Sequence, residues 1–402
     1  MAEVSGSPVP HNPVNPMDLE MELDIGPDPV VQEPVNNVIN DIAPAVIHDI
    51  EHESSESIGT ANEVIQYPGE TKGVVNTVLG KITSMAAIGA SNTTRTEDAV
   101  LRQVMLDPTT MDPHGHVLQW VAEPLEIKSG DRTLEGIYFQ STSDKSVENV
   151  GTKQNILICS GSHKSFEHYT FPMVQALTEM GHNVMCFNYS GFGRSEGSAS
   201  EKHVYQDSMA AFDKLAELTG NTEEHSKMKV IGFSLGTAAA AWLGTEKEVD
   251  VVLDRSLSHM KEPVGIKLKR FHAPTFFINL SKVVYKRVTS FNSASRINDI
   301  KGRCQIVYSH QDPMSLKAAK IFRSVIDRTQ MGARQKYHFN PVDAFHEHDK
   351  YGARVREGLP DSFPAEEGQE PVKVEAHQEL WYSNTEHHQD QFNALDEWLR
   401  TA

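Results

Sequence analysis

The feature that most constrains this chain is the pentapeptide Gly232-Phe233-Ser234-Leu235-Gly236. An apolar run typical of a buried strand (residues 228–231) precedes it, and an alanine-rich stretch typical of a helix (237–243) follows it. A G-x-S-x-G motif between a strand and a helix is the pattern of a nucleophile elbow, a turn tight enough to strain its central serine. The following helix N-terminus favours negative charge that develops beside the serine. The motif therefore predicts that Ser234 is a nucleophile.

Strand-like and helix-like segments alternate through most of the chain. Apolar runs predict strands at residues 155–159, 183–189, 228–231, 249–253, 305–308 and 336–339, after a hairpin at 125–141. Helical spacing predicts helices at 169–180, 201–218, 315–329 and 391–399. This alternation is typical of an α/β fold with a mainly parallel sheet covered by helices on both faces. Ligands bind such sheets at the carboxyl ends of the strands, where Ser234 is expected.

The first 72 residues differ in composition from the rest of the chain. No Lys or Arg precedes Lys72, whereas acidic residues recur from Glu3 to Glu70, and the chain has a formal net charge of −18. Such a segment buries too little apolar surface to offset its ordering entropy, so residues 1–72 are predicted to be a disordered acidic leader. The leader would repel nucleic acid, and it lacks the basic and apolar regions of a secretory signal.

Residues 73–124 are predicted to be a helical segment that packs on the main domain. Apolar residues recur at helical spacing from Val75 to Met85. The stretch is too short and too polar to span a bilayer. Packing on the domain is favoured over the alternative, a helix lying on a membrane surface, so peripheral membrane contact stays open.

The cysteines and glycines argue against several other classes of protein. Cys159, Cys186 and Cys304 are few, odd in number and widely spaced, which predicts buried, reduced thiols and a reducing compartment such as the cytoplasm. The glycines of residues 191–197 are spaced one residue too far apart for a dinucleotide fingerprint, so no cofactor is expected. Secretion as an effector without a signal peptide is the alternative localisation.

From about Leu125 to its C-terminus, the chain resembles the α/β-hydrolase superfamily, in particular its esterase-like and ABHD-like members. The resemblance rests on the pentapeptide around Ser234, on residues 188–197 (NYSGFGRSEG) and on residues 309–313 (SHQDP). It implies an α/β-hydrolase domain over residues 125–402, with a candidate cap at about 255–296 and an irregular insertion at 350–382. The leader and domain together show a weaker resemblance to the CHLPS-like hydrolases of intracellular bacteria.

The resemblance implies a catalytic acid after the nucleophile in the chain. Asp312 follows the predicted strand 305–308, where the family places its acid, although an Asp before Pro would equally suit a helix N-cap or a turn. The alternative acid is Asp254, directly after the preceding strand. Asp254 could instead form an ion pair with Arg255 or Arg270.

Three histidines are candidates for the catalytic base. His346 follows the predicted strand 336–339 and keeps the expected spacing from the acid, so it ranks first. His388 stands just before the last helix, where the family's histidine normally lies, and His348 is a neighbour of His346. The side chains of residues 346–349 alternate rather than share a helix face, so no metal site is expected there.

Two backbone N–H groups are expected to form the oxyanion hole. One belongs to Leu235, and the other to Ser162 or His163 in the loop after Cys159. These residues together predict a serine hydrolase that cleaves an ester, thioester or amide of a small-molecule or lipid acyl substrate through an acyl-enzyme. The alternative is a non-catalytic binding or secreted effector module on the same scaffold.

Overall fold

The computed structural model describes part of the chain, and the described ranges determine which predictions can be compared with it. They are residues 102–107, 118–148, 151–162, 166–223, 225–259, 291–310, 312–329, 336–342, 362–363, 372–373 and 389–401. The predicted leader, the helical pattern between Val75 and Met85, and most of the candidate cap and insertion lie outside these ranges. So do His163 and the candidate bases His346, His348 and His388.

Eight strands of the described residues form one sheet. Their bounds are β1 Trp120–Ser129, β2 Arg132–Ser141, β3 Asn155–Cys159, β4 Asn183–Phe187, β5 Met228–Phe233, β6 Asp250–Asp254, β7 Cys304–Tyr308 and β8 Tyr337–Pro341. The described helices are α1 Asp144–Glu148, α2 Phe166–Glu179, α3 Glu201–Thr219, α4 Gly236–Glu246, α5 Ser293–Arg296, α6 Pro313–Thr329 and α7 Gln389–Arg400. Residues 102–106 are also helical. Within the predicted insertion, β9 Ser362–Phe363 pairs with β10 Val372–Lys373.

The sheet has the strand order β1-β2-β4-β3-β5-β6-β7-β8. The pairs β1–β2 and β2–β4 are antiparallel, and the remaining pairs are parallel. Strand β5 lies between β3 and β6, pairing Gly232 with Cys159 and Phe233 with Asp254. The carboxyl ends of these three strands therefore meet at one edge, directly beside Ser234.

Two apolar clusters cover the two faces of the sheet. Every residue of β3, β4 and β5 is buried, as expected for central strands without a solvated face. One cluster packs the apolar sides of α3, α4 and α6 on the sheet, and the other packs α2, α7 and Met105. This is the predicted architecture, a mainly parallel sheet with helices on both faces.

The strands and helices predicted within the described residues are all present, but some bounds differ. Strand β1 begins at Trp120, earlier than predicted, and its hairpin with β2 is correspondingly longer. The prediction that β4 extends to residue 189 is wrong, because the strand ends at Phe187 and the next two residues enter a loop. The three cysteines are buried and form no disulfide bonds, as predicted. Within the described residues, no helix combines the length and hydropathy that a membrane span requires.

Candidate active site

The site is built around the turn that joins β5 to α4. Ser234 has a φ of +51°, in the left-handed region that costs a residue with a Cβ about 1–2 kcal/mol. The side chains of the sheet edge largely surround it, leaving 8% of the residue exposed. The strained serine expected from the sequence motif is therefore present at the carboxyl edge of the sheet.

Hydrogen bonds hold this strained backbone in place. The Ser234 N–H donates to the carbonyl oxygen of Asp254 at 3.0 Å. The Ser234 carbonyl accepts from the N–H of Thr237 at 3.1 Å and from its hydroxyl at 2.6 Å. Both sides of the serine are thus fixed, one by the neighbouring strand and the other by the first turn of α4.

The two glycines of the motif allow α4 to approach the sheet closely. A Cβ added at Gly232 would lie 2.4 Å from the carbonyl oxygen of Gly236. A Cβ added at Gly236 would lie 1.9 Å from the carbonyl oxygen of Cys159. Neither position has room for a side chain, so the turn depends on glycine at both.

The loop after β3, in which one of the oxyanion donors is predicted, lies beside Ser234. A Cβ added at Gly161 would lie 3.1 Å from the Phe233 ring and 3.5 Å from the Ser234 Cβ. Ser162 follows in this loop and is half-buried, whereas Leu235 is buried at the start of α4. The first N–H groups of a helix have no partner within that helix. The start of the loop after β3 thus lies beside both Ser234 and the first residue of α4, Gly236.

The carboxylate of Asp312 is buried between β7 and α6. Its Oδ1 accepts from the Met314 N–H at 3.0 Å, and its Oδ2 accepts from the Ser315 N–H at 3.2 Å. These are N-cap hydrogen bonds, so the structural role that the sequence left open for Asp312 is present.

The alternative acid, Asp254, forms a buried ion pair with its neighbour Arg255. The two side chains are fully buried, and Arg255 Nη1 lies 3.1 Å from Asp254 Oδ1. Arg255 has a φ of +52°, and its N–H donates to the carbonyl of Val307 at 3.1 Å. Backbone hydrogen bonds of these two residues link the ends of β5, β6 and β7. The ion pair itself matches the alternative role considered for Asp254.

Other groups near Ser234 are poor candidates for a nucleophile or a metal site. Burial raises the pKa of the Cys159 thiol to about 12, so the thiol is protonated and weakly nucleophilic at neutral pH. In the part of the chain that the structure describes, no three His, Cys, Asp or Glu side chains are grouped to hold a metal ion.

The sequence did not reveal a partly buried polar cluster next to the start of α2. Its members are Arg102, Glu135, Glu167 and Asn188, and they come from four separate segments of the chain. Only Asn188 belonged to a quoted motif, where it follows the apolar run of β4. An Asn at the end of a buried strand is the one signal that could have indicated a structural side-chain hydrogen bond.

Comparisons with known proteins agree with this architecture. Residues 151–256 match the family model of serine aminopeptidase, S33. A stretch of 150 residues is 25% identical to the multifunctional-autoprocessing repeats-in-toxin protein of Vibrio vulnificus, covering 36% of this chain and 3% of the toxin. A stretch of 90 residues is 32% identical to the α/β-hydrolase domain-containing protein WAV2 of Arabidopsis thaliana, covering 21% and 28% of the two chains. The matches therefore span only a minor part of either relative.

A solved structure covers more of the chain. The crystal structure of an α/β hydrolase from Vibrio vulnificus aligns with a TM-score of 0.50 at 16% identity, over 74% of this chain and 99% of the other. At this identity the likeness concerns the fold. Together with the strand order and the family match across β3 to β6, it identifies the fold of this chain as that of the α/β hydrolases.

Proposed function

We propose that this protein is a serine hydrolase that cleaves an ester, thioester or amide through an acyl-enzyme. The observation that carries the proposal is the backbone of Ser234. A serine held at φ +51° between a buried strand and a helix is costly, and strained residues of this kind cluster at active sites. The strain, the position at the carboxyl edge and the adjoining helix N-terminus all suit a nucleophile.

In the proposed mechanism, the Ser234 hydroxyl attacks the carbonyl carbon of the substrate. His346 accepts the hydroxyl proton, and Asp312 orients the imidazole and stabilises its charged form. His388 and His348 are the alternative bases. The oxyanion binds the N–H of Leu235 and that of Ser162 or His163. The imidazolium then protonates the leaving alcohol, thiol or amine, and water hydrolyses the acyl-enzyme by the same route.

The contacts of the two candidate acids support Asp312 over Asp254. The Asp254 carboxylate already pairs with a guanidinium, and both groups are fully buried. Diverting it to a histidine would break this buried ion pair, which is strongly unfavourable. Asp312, by contrast, accepts from the backbone N–H groups of Met314 and Ser315 in α6.

Active-site labelling tests the proposal. A fluorophosphonate probe should modify the wild-type chain, and Ser234→Ala should remove the label. Ser226→Ala is the matched control, because Ser226 is an exposed serine just before the opposite end of the same strand. Ser226→Ala should label as the wild type does. An unlabelled folded wild type, or equal labelling of Ser234→Ala, would favour the non-catalytic binding module instead.

A further inference from the structure

We propose that Asn188 and Tyr189 are positioning residues that hold the two ends of the oxyanion-hole loop, and that Glu135 and Arg102 hold Asn188 in place. The loop connects β3 to α2, and its residue Gly161 lies beside Ser234. The inference rests on the proposed function. It assigns a role to residues that do not touch the reacting atoms.

Asn188 holds the downstream end of this loop. It is the first residue after β4 and is 1% exposed. Its side-chain Oδ1 accepts from the N–H of Phe166, the first residue of α2, at 2.9 Å. Its Nδ2 donates to Glu135 Oε2 at 3.2 Å. A buried amide that is bonded on both sides fixes where α2 begins, and therefore where the loop must end.

Tyr189 holds the upstream end. Its hydroxyl donates to the carbonyl oxygen of Ser160 at 3.4 Å, a long hydrogen bond in a fully buried setting. Burial raises the pKa of the Tyr189 hydroxyl well above its usual value of 10.0, so it remains a donor across the working pH range. Two consecutive residues of the loop after β4 thus hold the two ends of the loop after β3.

Glu135 and Arg102 hold Asn188 in place. Glu135 Oε2 also accepts from the Arg194 N–H at 2.6 Å, and its Oε1 lies 2.5 Å from Arg102 Nη1. Arg102 in turn lies 3.1 Å from Oε1 of Glu167, in the first turn of α2. The contacts therefore close a circuit from α2 through Arg102, Glu135 and Asn188 back to α2.

Gly193 allows the loop after β4 to pack against the side chains of Asn188 and Glu135. Gly193 has a φ of +51°, and an added Cβ would lie 2.4 Å from Asn188 Nδ2 and 2.8 Å from Glu135 Oε2. The loop after β4 can close over the cluster only if this residue lacks a side chain. At least one glycine of residues 191–197 is therefore required for the packing of this loop.

The position of the loop matters for catalysis because an oxyanion hole acts through preorganised donors. A Cβ added at Gly161 would lie 3.5 Å from the Ser234 Cβ, so this loop packs beside the proposed nucleophile. Loss of one oxyanion donor typically costs about 100-fold to 1000-fold in kcat. Loosening the loop without removing a donor should cost less, about tenfold in kcat by the same reasoning.

The test compares Asn188→Ala and Tyr189→Phe with a matched control, Asn183→Ala. Asn183 is a buried Asn at the other end of the same strand, and it also bonds on both sides, to the Ser141 N–H and to Asn155 Oδ1. The readouts are kcat and KM for a short-chain p-nitrophenyl ester, and the inhibition constant of an arylboronic acid. The boronate forms a tetrahedral adduct on serine and so reports on the oxyanion hole.

We expect both Asn188→Ala and Tyr189→Phe to lower kcat and weaken boronate binding by similar factors, about tenfold for Asn188→Ala, with little change in KM. Asn183→Ala should lower the melting temperature but leave boronate binding unchanged. If Asn188→Ala does not fold, Tyr189→Phe carries the test, since it keeps the buried ring. Boronate binding that weakens no more than in Asn183→Ala overturns the inference while the hydrolase function stands. A wild type that neither hydrolyses the ester nor takes a fluorophosphonate label overturns both.

Discussion

At Ser234 the backbone conformation is unfavourable for any residue that carries a Cβ, and this can be measured separately from catalysis. Its φ of +51° suits glycine, which has no Cβ to clash with the carbonyl oxygen. Ser234→Gly and Ser234→Ala should both be inactive. Ser234→Gly should nevertheless have a free energy of unfolding about 1 kcal/mol higher than Ser234→Ala.

The control for this comparison is the same pair of changes at Ser226, which is not among the described residues with positive φ. There the glycine variant should be no more stable than the alanine variant, because glycine also loses more backbone entropy on folding. Denaturant unfolding measures all four values. Equal stability of the two Ser234 variants would show that the turn is not strained.

The identity of the catalytic base is the second question at the scale of single residues. Spacing from Asp312 favours His346, whereas adjacency to α7 favours His388. His346→Ala should lower turnover by several orders of magnitude with an unchanged melting curve, because the members of a triad act as a unit. His388→Ala should leave turnover nearly intact. Interchanged phenotypes would mean that the insertion precedes the base.

At the scale of elements, Asp312 combines a cap of α6 with the proposed catalytic charge, and one substitution separates them. Asn caps helices about as well as Asp, so Asp312→Asn should keep a cap on α6, with its one carbonyl oxygen accepting from the first turn in place of the two carboxylate oxygens. It should still lower kcat by about 10⁴-fold, because a neutral amide cannot stabilise the imidazolium.

Asp312→Ala removes both functions and should also cost about 1 kcal/mol of stability. Ser200→Ala is the control, since it removes the cap of α3, where Ser200 Oγ accepts from the His203 N–H at 3.0 Å. It should lower stability to a similar extent without the loss of kcat. Full activity of Asp312→Asn would show that Asp312 is only a cap, and Asp254 would then be the remaining candidate acid.

Periodicity predicted the elements well because it reports burial directly. The continuous apolar runs in the sequence are central strands of the sheet. Phe392, Leu395 and Leu399, which recur at helical spacing, lie on the buried side of α7. The ends of elements were harder to predict. Strand β4 stops before Asn188, whose side chain bonds to the Phe166 N–H and to Glu135, and contacts with such distant segments do not enter a local propensity.

In the candidate site, too, features with a local cause could be predicted and features that depend on distant contacts could not. The strained turn at Ser234 could be predicted, because its local motif carries its own steric reason. The cluster of Arg102, Glu135 and Glu167 could not, because its members are far apart in the chain and meet only once the sheet is assembled. A single sequence also left three candidate bases, since insertions change the spacing on which that choice depends.

At the scale of the whole molecule, a buried histidine joins α7 to the sheet. His182 Nε2 lies 2.9 Å from Asp396 Oδ1, and its Nδ1 accepts from the Gln154 N–H at 3.2 Å. The ring must therefore be neutral, with its proton on Nε2. Burial is the main reason that the pKa of His182 lies below its ordinary value of 6.5.

The sign of the pH dependence follows from this neutral ring. Below pH 6.5 the unfolded chain takes up a proton that folded His182 does not, so the contribution of His182 to stability falls as the pH drops. Unfolding at pH 7.5, 6.5 and 5.5 should show the wild type losing stability faster than His182→Gln, although His182→Gln should be less stable at pH 7.5. Parallel slopes for the two proteins would show that another group controls this range.

The N-terminal limit of the domain can be tested by truncation, because residues 102–107 contact its core. Met105 is fully buried, and its carbonyl oxygen accepts from Trp120 Nε1 at 2.9 Å. Arg102 meets Glu135 and Glu167 beside the loop of the proposed oxyanion hole.

Removing residues 1–70 should therefore leave ester hydrolysis unchanged, as expected for the acidic leader. Removing residues 1–107 should lower the free energy of unfolding by about 3 kcal/mol or more. It removes the buried Met105 side chain from the core, leaves the Trp120 N–H without its acceptor, and leaves the carboxylates of Glu135 and the buried Glu167 without the Arg102 cation. The longer truncation should also lower kcat, because Arg102 closes the circuit around Asn188. Unfolding curves and ester hydrolysis of the two truncated chains measure both effects. If the shorter truncation is as damaging as the longer one, the leader itself packs on the domain, and the boundary proposed here lies too close to the C-terminus.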